Sequence, residues 1–416
     1  MYKFTKHCRL CLHPTMKVGV KLAKMPLGEK YTRSKKSALK GNKFPLSIGW
    51  CSKCKNIQTM EVVKPKLLWG DFTYLSGQTK FIIEHFQQFS KKIIKRFRLN
   101  KDDFVVDIGS NDGSLLNFFK KKKMKVLGID PADTVAILAQ KKGVETIIDY
   151  FSHKLSKKIN KKYKKAKIIT CFNTFAHSEH LRDMMKGVTE ILDDKGVFIF
   201  ECQYLTDIYR NKILGTFFHE HMYHHSVTTL NNFFKMFDLT LFDVEKVNIQ
   251  KGSIIGYVGK KNQFRVSKNV KDIMTKERLS GDTKFTKLVK FQNYIDEQKK
   301  TSIKILNKYK EKTIAGYGAA RSGPTLAINF GINKYLKMIF DDHKLKRNKY
   351  TPLDGLFVYP TKMLLKIKPD VCVVLAYLHL KKIIKKNVNY LKSGGKFLSI
   401  YPKPLIIDYK NYKKFV

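Results

Sequence analysis

An α/β protein in three parts is predicted here: a small cysteine-rich module, then a Rossmann-like domain, then a second Rossmann-like domain. Three observations carry the prediction. Two C-x-x-C pairs lie before residue 55, while Cys171, Cys202 and Cys372, the rest of the seven cysteines, stand singly in apolar runs. From about residue 71, short apolar runs alternate with amphipathic stretches, the pattern of a parallel sheet covered by helices. Beyond a charged helical stretch around Leu288 to Tyr309, a second strand–helix series begins at Thr313.

The first part, residues 1–70, is rich in turns and basic residues and poor in periodic apolar runs. Cys8-x-x-Cys11 and Cys51-x-x-Cys54 offer four thiolates in two close pairs, the donor set of a tetrahedral structural zinc site. A module so short of apolar residues would draw folding energy from the metal. An odd cysteine total, with paired spacing at one end only, argues against a disulfide framework.

The second part, residues 71–265, has strands expected over 104–106, 126–129, 168–170 and 196–200, with amphipathic helical stretches at 115–119 and 184–192. After its first strand comes Asp107-Ile108-Gly109-Ser110-Asn111-Asp112-Gly113-Ser114. Gly109 and Gly113 let backbone approach a ligand, while Asp107, Asn111 and Asp112 can bond its amine or ribose. The second strand ends at Asp130, placed to bind both ribose hydroxyls. The turn is not G-x-G-x-x-G, and no phosphate-loop lysine follows. Carboxylates suit a cationic sulfonium better than a phosphate, so S-adenosylmethionine is the expected cofactor. A turn capped by an aspartate is the plainer alternative. Asn173 falls where the sheet's edge meets the cofactor's methyl end.

The formal charge of +48 raises affinity for polyanions. The lysines are nevertheless spread over the whole chain, as at Lys91-Lys92, Lys120 to Lys123, Lys157-Lys158, Lys161-Lys162 and Lys381-Lys382. They form no stripe interleaved with aromatics, which argues against nucleic acid. A compositional lysine bias on solvated faces and a basic surface for an acidic substrate are both consistent with them. No apolar stretch approaches the ~20 residues of a membrane span, and the chain runs from Met1 straight into charged residues. A cytoplasmic protein without a membrane partner is expected; the oligomeric state stays open, a monomer included.

Phe218 to His225 concentrates four histidines and Glu220 in eight positions. A metal site, a packed structural loop and acid–base catalysis are the three readings. The spacing is not the helical H-E-x-x-H of metalloproteases. Histidine can be a neutral base near pH 7, and a neighbouring carboxylate can set its tautomer.

The sequence resembles the sugar C-methyltransferases of antibiotic deoxysugar pathways over nearly its whole length. The resemblance rests on Cys8-Arg9-x-Cys11, Phe44-Pro45-Leu46, Cys51-x-x-Cys54 with Gln58, and the Asp107–Gly113 turn. It continues through Asn173-x-x-Ala176-His177, His219-Glu220-His221, Gly316-Tyr317-Gly318-Ala319-Ala320-Arg321 and Tyr350-Thr351-Pro352. It implies a zinc-binding module, a class I methyltransferase core and a Rossmann-like C-terminal domain over residues 266–416. It also implies methylation of a carbon beside a ketone on a nucleotide-diphosphate keto deoxysugar. By the same resemblance His221 is the base, Glu220 its partner and His177 a second active-site histidine near the keto oxygen. Tyr74 resembles a family tyrosine near the sugar. The family usually carries tyrosine where this chain has Phe218, and Tyr223 is a substitute from the other side. Lysine is common where Arg321 stands.

The turn Gly316 to Gly323 follows a strand and precedes a helix, a weak dinucleotide-type signal alone. Within the family resemblance, Tyr317 and Arg321 are expected to bind the substrate's nucleotide or diphosphate. Rival functions are a nucleic-acid methyltransferase with a zinc module and a catalytically inactive zinc-containing binding protein.

Overall fold

The computed structural model describes residues 1–27, 30–69, 75–319, 323–400 and 403–416, apart from the side chain of Pro324. Tyr74 and Arg321 lie outside the described residues.

The N-terminal module contains more sheet than its composition suggests. Strands β2 (Lys17–Pro26), β3 (Lys43–Trp50) and β4 (Ile57–Thr59) form an antiparallel sheet in that order, and β1 (Tyr2–Phe4) pairs with β5 (Glu61–Val63). Lysines on the outer side of β2 mask its alternation, because only Val20, Met25 and Pro26 of that strand are buried. The module is not an independent core. Val20, Leu46, Ile48 and Ile57 share one apolar cluster with Leu288 and Phe291 of helix Phe285–Asn307 and with Leu326 and Phe330 of the last domain. At Gly19 the approach is so close that a Cβ would stand 2.7 Å from Leu288. Apolar burial at ~25 cal/mol per Å² therefore ties module, helix and last domain together.

The central sheet has the order β11-β12-β10-β9-β6-β7-β8. These are Leu239–Val247, Ser253–Lys260, Leu192–Gln203, Ala166–Phe172, Phe104–Ile108, Lys125–Ile129 and Thr146–Ile147. Five strands are parallel, and β12 enters antiparallel between β10 and β11. Phe198 and Phe200 of β10 face one buried layer, while Val197 and Ile199 face the other. Both faces are covered, which is why these strands read as continuous apolar runs.

The last domain repeats the doubly wound plan. Its sheet runs β15 (Val358–Tyr359), β14 (Met338–Phe340), β13 (Ile314–Tyr317), β16 (Val371–Val374), β17 (Lys396–Ser399) and β18 (Leu405–Ile407). All neighbours are parallel except the final pair. Ile314, Ile339, Val371 and Val373 face the side shared with the N-terminal module, and Ala315, Tyr317, Phe340 and Cys372 face the other. Among the described residues no helix is long and apolar enough to cross a membrane. The lysine runs named above are exposed throughout.

Candidate active site and metal module

The two cysteine pairs form matching knuckles. In each, the amide four residues after the first cysteine donates to that cysteine's carbonyl: Leu12 to Cys8 at 2.9 Å and Lys55 to Cys51 at 3.0 Å. Leu12 (φ 59°) and Lys55 (φ 65°) both take the left-handed conformation that turns the chain back. All four sulfurs lie within 4.8 Å of one another, with Cys8–Cys54 and Cys11–Cys51 at 3.6 Å. Tetrahedral bonds of ~2.3 Å require sulfurs separated by a little under 4 Å, so the donor set fits zinc in number, type and spacing. A hydrogen bond from Cys54 holds the Cys8 thiol down at about 5 and pushes Cys54 up, a proton-sharing arrangement that four thiolates around a metal would replace.

At the carboxyl ends of the parallel strands, the first turn is built as the pattern requires. Gly109 (φ 75°) and Gly113 (φ 71°) are left-handed, and a Cβ on Gly109 would stand 2.2 Å from the Thr174 hydroxyl. Asp130 accepts the Asn111 amide through Oδ2 and the Ala132 amide through Oδ1, both at 2.9 Å. Burial raises its pKa against these two donors. Asp107 is fully buried, accepts from Thr170 Oγ1 at 2.6 Å, and is raised by burial to about 7. Asn111 Oδ1 accepts the Ser76 amide, while Asp112 accepts the Gly77 amide, the Ser114 hydroxyl and Lys142 Nζ.

Two residues here escape sequence reasoning. Glu201, at the end of β10, has no exposed surface; its Oε2 lies 2.5 Å from His85 Nε2, and its Oε1 accepts Asn173 Nδ2 at 3.0 Å. A lone carboxylate inside Val197–Cys202 is the available signal; His85, on helix Lys80–Arg96, gives none. Asp107, Asp112, Asp130 and Glu201 make this mouth acidic. It fits a cationic cofactor and offers no phosphate cradle.

The histidine loop separates into three packed rings and one half-exposed ring. His219 bonds the Pro45 carbonyl at 3.1 Å, and burial lowers its pKa. His224 is wholly buried with its ring edge-on to Phe217, and burial lowers it far below the usual range. His225 packs between Phe175 and Tyr223 and is lowered by burial to about 3. These three are neutral structural residues. Among the described residues, the group of His, Cys, Asp and Glu close enough to share an ion is the four cysteines.

His221 differs: it is half-exposed, and its Nδ1 lies 2.8 Å from the Thr216 carbonyl and 3.1 Å from Thr216 Oγ1. A carbonyl only accepts, so Nδ1 carries the proton and the basic lone pair is on Nε2. The Thr216 hydroxyl in turn donates to Gln203 Oε1. The Thr216 backbone thus sets this tautomer at Nδ1, and Glu220, the residue before His221, is buried. His221 stacks on His177 at 5.2 Å, His177 stacks on Trp69 at 5.2 Å, and Phe218 covers His221 at 4.0 Å. Tyr223 does not stand in for the missing tyrosine: it is buried and donates to the Glu179 carbonyl at 3.3 Å. Tyr317 lies on the far face of its sheet, half-shared with Asn387, which donates to its hydroxyl at 3.2 Å.

Three family models match in chain order: a zinc binding domain over residues 8–69, a methyltransferase domain over 82–244 and a C-methyltransferase C-terminal domain over 248–402. The C-methyltransferase NovU of Streptomyces niveus is 27% identical over 406 residues, covering 96% of each chain. Solved structures with similar folds include PH0226 of Pyrococcus horikoshii OT3 (16% identical, TM-score 0.38, 46% of this chain and 98% of that one). Another is the magnesium protoporphyrin IX methyltransferase ChlM of Synechocystis PCC 6803 with bound SAH (16% identical, TM-score 0.34, 47% and 92%). With three modules matched in order and a relative aligned from end to end, the chain carries the module set of a C-methyltransferase and is an S-adenosylmethionine-dependent methyltransferase with a four-cysteine zinc-binding module.

Proposed function

We propose that the protein methylates a carbon beside a ketone on a nucleotide-diphosphate deoxysugar, with His221 as the base. The observation that carries this reading is the His221 tautomer, fixed by the Thr216 carbonyl at 2.8 Å. Nε2 takes the proton from the carbon, and the electron pair of that C–H bond moves onto the ketone as an enolate. His177, stacked on His221, is the group assigned to the enolate oxygen. When bound, S-adenosylmethionine would supply an electrophilic methyl to the enolate carbon, the S–CH3 bond breaking as the C–CH3 bond forms and S-adenosylhomocysteine leaving. His221 then returns its proton to water. A positioned base of this kind contributes about 10²–10⁴-fold, and orientation of both substrates contributes the rest. Asp107, Asp112, Asp130 and Asn173 are the cofactor residues in this reading. The basic last domain, with Arg321, takes the diphosphate.

Phe218 supports a division of labour in which the ring packs the base and donates nothing to the enolate. Exchange of the substrate's α-proton with deuterated water, followed by NMR without methyl transfer, tests the base alone. Exchange is expected in the wild type and a loss of at least about 10²-fold in His221→Ala. Undiminished exchange in that variant would exclude His221 as the base.

A further inference from the structure

We infer that the zinc module is the template for the catalytic loop, with Arg9 and Thr59 as positioning residues for His221; this rests on His221 being the base. Arg9 stands between Cys8 and Cys11 and is buried. Its Nη2 donates to the Thr59 carbonyl at 2.8 Å and to the Met222 carbonyl at 2.7 Å. Its backbone amide donates to Gln58 Oε1 at 3.0 Å, and its guanidinium lies over the Tyr223 ring at 5.1 Å. One side chain, rooted inside the first knuckle, thus bonds the residue after His221 and stacks on the next.

The loop itself is laid against β4 like an added strand. The Thr59 amide donates to the Met222 carbonyl at 3.1 Å, His224's amide donates to the Ile57 carbonyl at 2.9 Å, and Gln58 pairs with Tyr223 as an antiparallel bridge. Thr59 Oγ1 donates to the carbonyl of His221 at 2.6 Å. The imidazole's backbone is therefore held from the module side, and its Nδ1 from the core side by Thr216. Asn56 joins the two systems, donating to Gln58 Oε1 at 3.0 Å and lying 3.6 Å from Cys8 Sγ.

Charge points the same way. Nε and Nη1 of Arg9 are buried without a hydrogen-bond partner. A buried cation left half-bonded is costly. Four thiolates around a divalent ion carry a net negative charge, and two of them, Cys8 and Cys11, flank Arg9 in sequence. The metal site would balance the cation that the loop needs, so metal, Arg9 and loop form one unit. Small misplacements of a reacting group cost about 10²-fold in rate, which gives such a unit a catalytic consequence beyond folding.

The test uses the full zinc-loaded chain with Thr59→Val, which removes the hydroxyl at nearly constant volume, and Arg9→Met. Thr59→Ser and Arg9→Lys are the conservative controls. Metal content, cofactor affinity by calorimetry, kcat and KM are measured, together with the NMR signal of the isotope-labelled His221 imidazole, assigned by its loss in His221→Asn. Thr59→Val is expected to keep its zinc, its cofactor affinity and its KM. Its kcat should fall about tenfold, the His221 signal should move, and Thr59→Ser should restore both. An unmoved His221 signal in both Thr59→Val and Arg9→Met would overturn the inference, as would loss of zinc or cofactor binding alongside the rate. If His221→Ala keeps wild-type turnover, the base reading fails, and the imidazole signal still decides whether the module positions the loop.

Discussion

The two doubly wound sheets share one clamp and differ in what surrounds it. In the core, Asp130 at the end of the second parallel strand accepts the amides of Asn111 and Ala132. In the last domain, Asp341 at the same place accepts the amides of Ala319 at 2.6 Å and His343 at 2.7 Å. Each carboxylate thereby ties the first turn to the second strand. The surroundings then diverge. The first strand of the core carries Asp107 next to its end, and Asp112 and Glu201 lie nearby; the corresponding strand of the last domain ends in Tyr317. There the turn carbonyl of Ala319 takes a bond from buried Lys346 at 2.9 Å and another from Tyr31 of the N-terminal module at 3.0 Å. The repeated fold supplies backbone geometry, and charge at the mouth decides the cargo. An acidic mouth suits the sulfonium cofactor, while Lys346 beside the Asp341 clamp is the described cation that the proposed diphosphate would meet.

The largest effect should come from exchanging damage between the two clamps. Asp130→Ala removes a charged acceptor from two buried amides and from the expected ribose contact. Hydrogen bonds to a charged group contribute ~1.5–3 kcal/mol, so cofactor affinity should fall about 10–100-fold by calorimetry. Asp341→Ala should leave cofactor affinity unchanged and raise KM for the sugar nucleotide. Equal loss of cofactor affinity in both variants would break the comparison.

A smaller effect separates the two mouths by pH. Burial raises Asp107 to about 7, so without cofactor it holds a proton below that pH. A cationic ligand favours the ionised form, and binding below pH 7 must expel that proton. Affinity for the cofactor should therefore fall as pH drops below 7, by at most about tenfold per unit, and level off above it. Asp107→Asn should flatten this dependence. Titration calorimetry across pH 5.5 to 8.5 reads both curves, and a wild-type curve as flat as the variant's would remove Asp107 from the cofactor site.

Much of this was legible in the sequence. The four cysteines announce themselves by spacing, because a chelating turn has a fixed length. The core strands Phe104–Ile108 and Lys125–Ile129 read clearly because both faces are buried. The strand Lys17–Pro26 was hidden by exposed lysines on its outer side, and the antiparallel pair Leu239–Val247 and Ser253–Lys260 was missing from the expected sheet. Val371–Val374 is shorter than the apolar run suggests, because a turn at Tyr377–His379 ends it. In the site, the family resemblance points to His221 as the proposed base, but its tautomer is not legible. The group that sets it is the carbonyl of Thr216, and a backbone atom leaves no mark in sequence. Without the resemblance, residue pattern does not distinguish His221 from His219, His224 and His225; burial does so. Glu201 escapes sequence reasoning although it is a carboxylate in an apolar run, because its partner His85 lies more than a hundred residues away.

The most direct measurement follows labelled methyl from S-adenosylmethionine into a panel of nucleotide-linked 4-keto deoxysugars, with the product's new bond assigned by NMR, in the wild type beside His221→Ala. A methyl on the carbon next to the ketone, absent in the variant while cofactor binding persists, is the predicted result. Methyl transfer to oxygen or nitrogen, or carbon methylation undiminished in His221→Ala, would contradict the account.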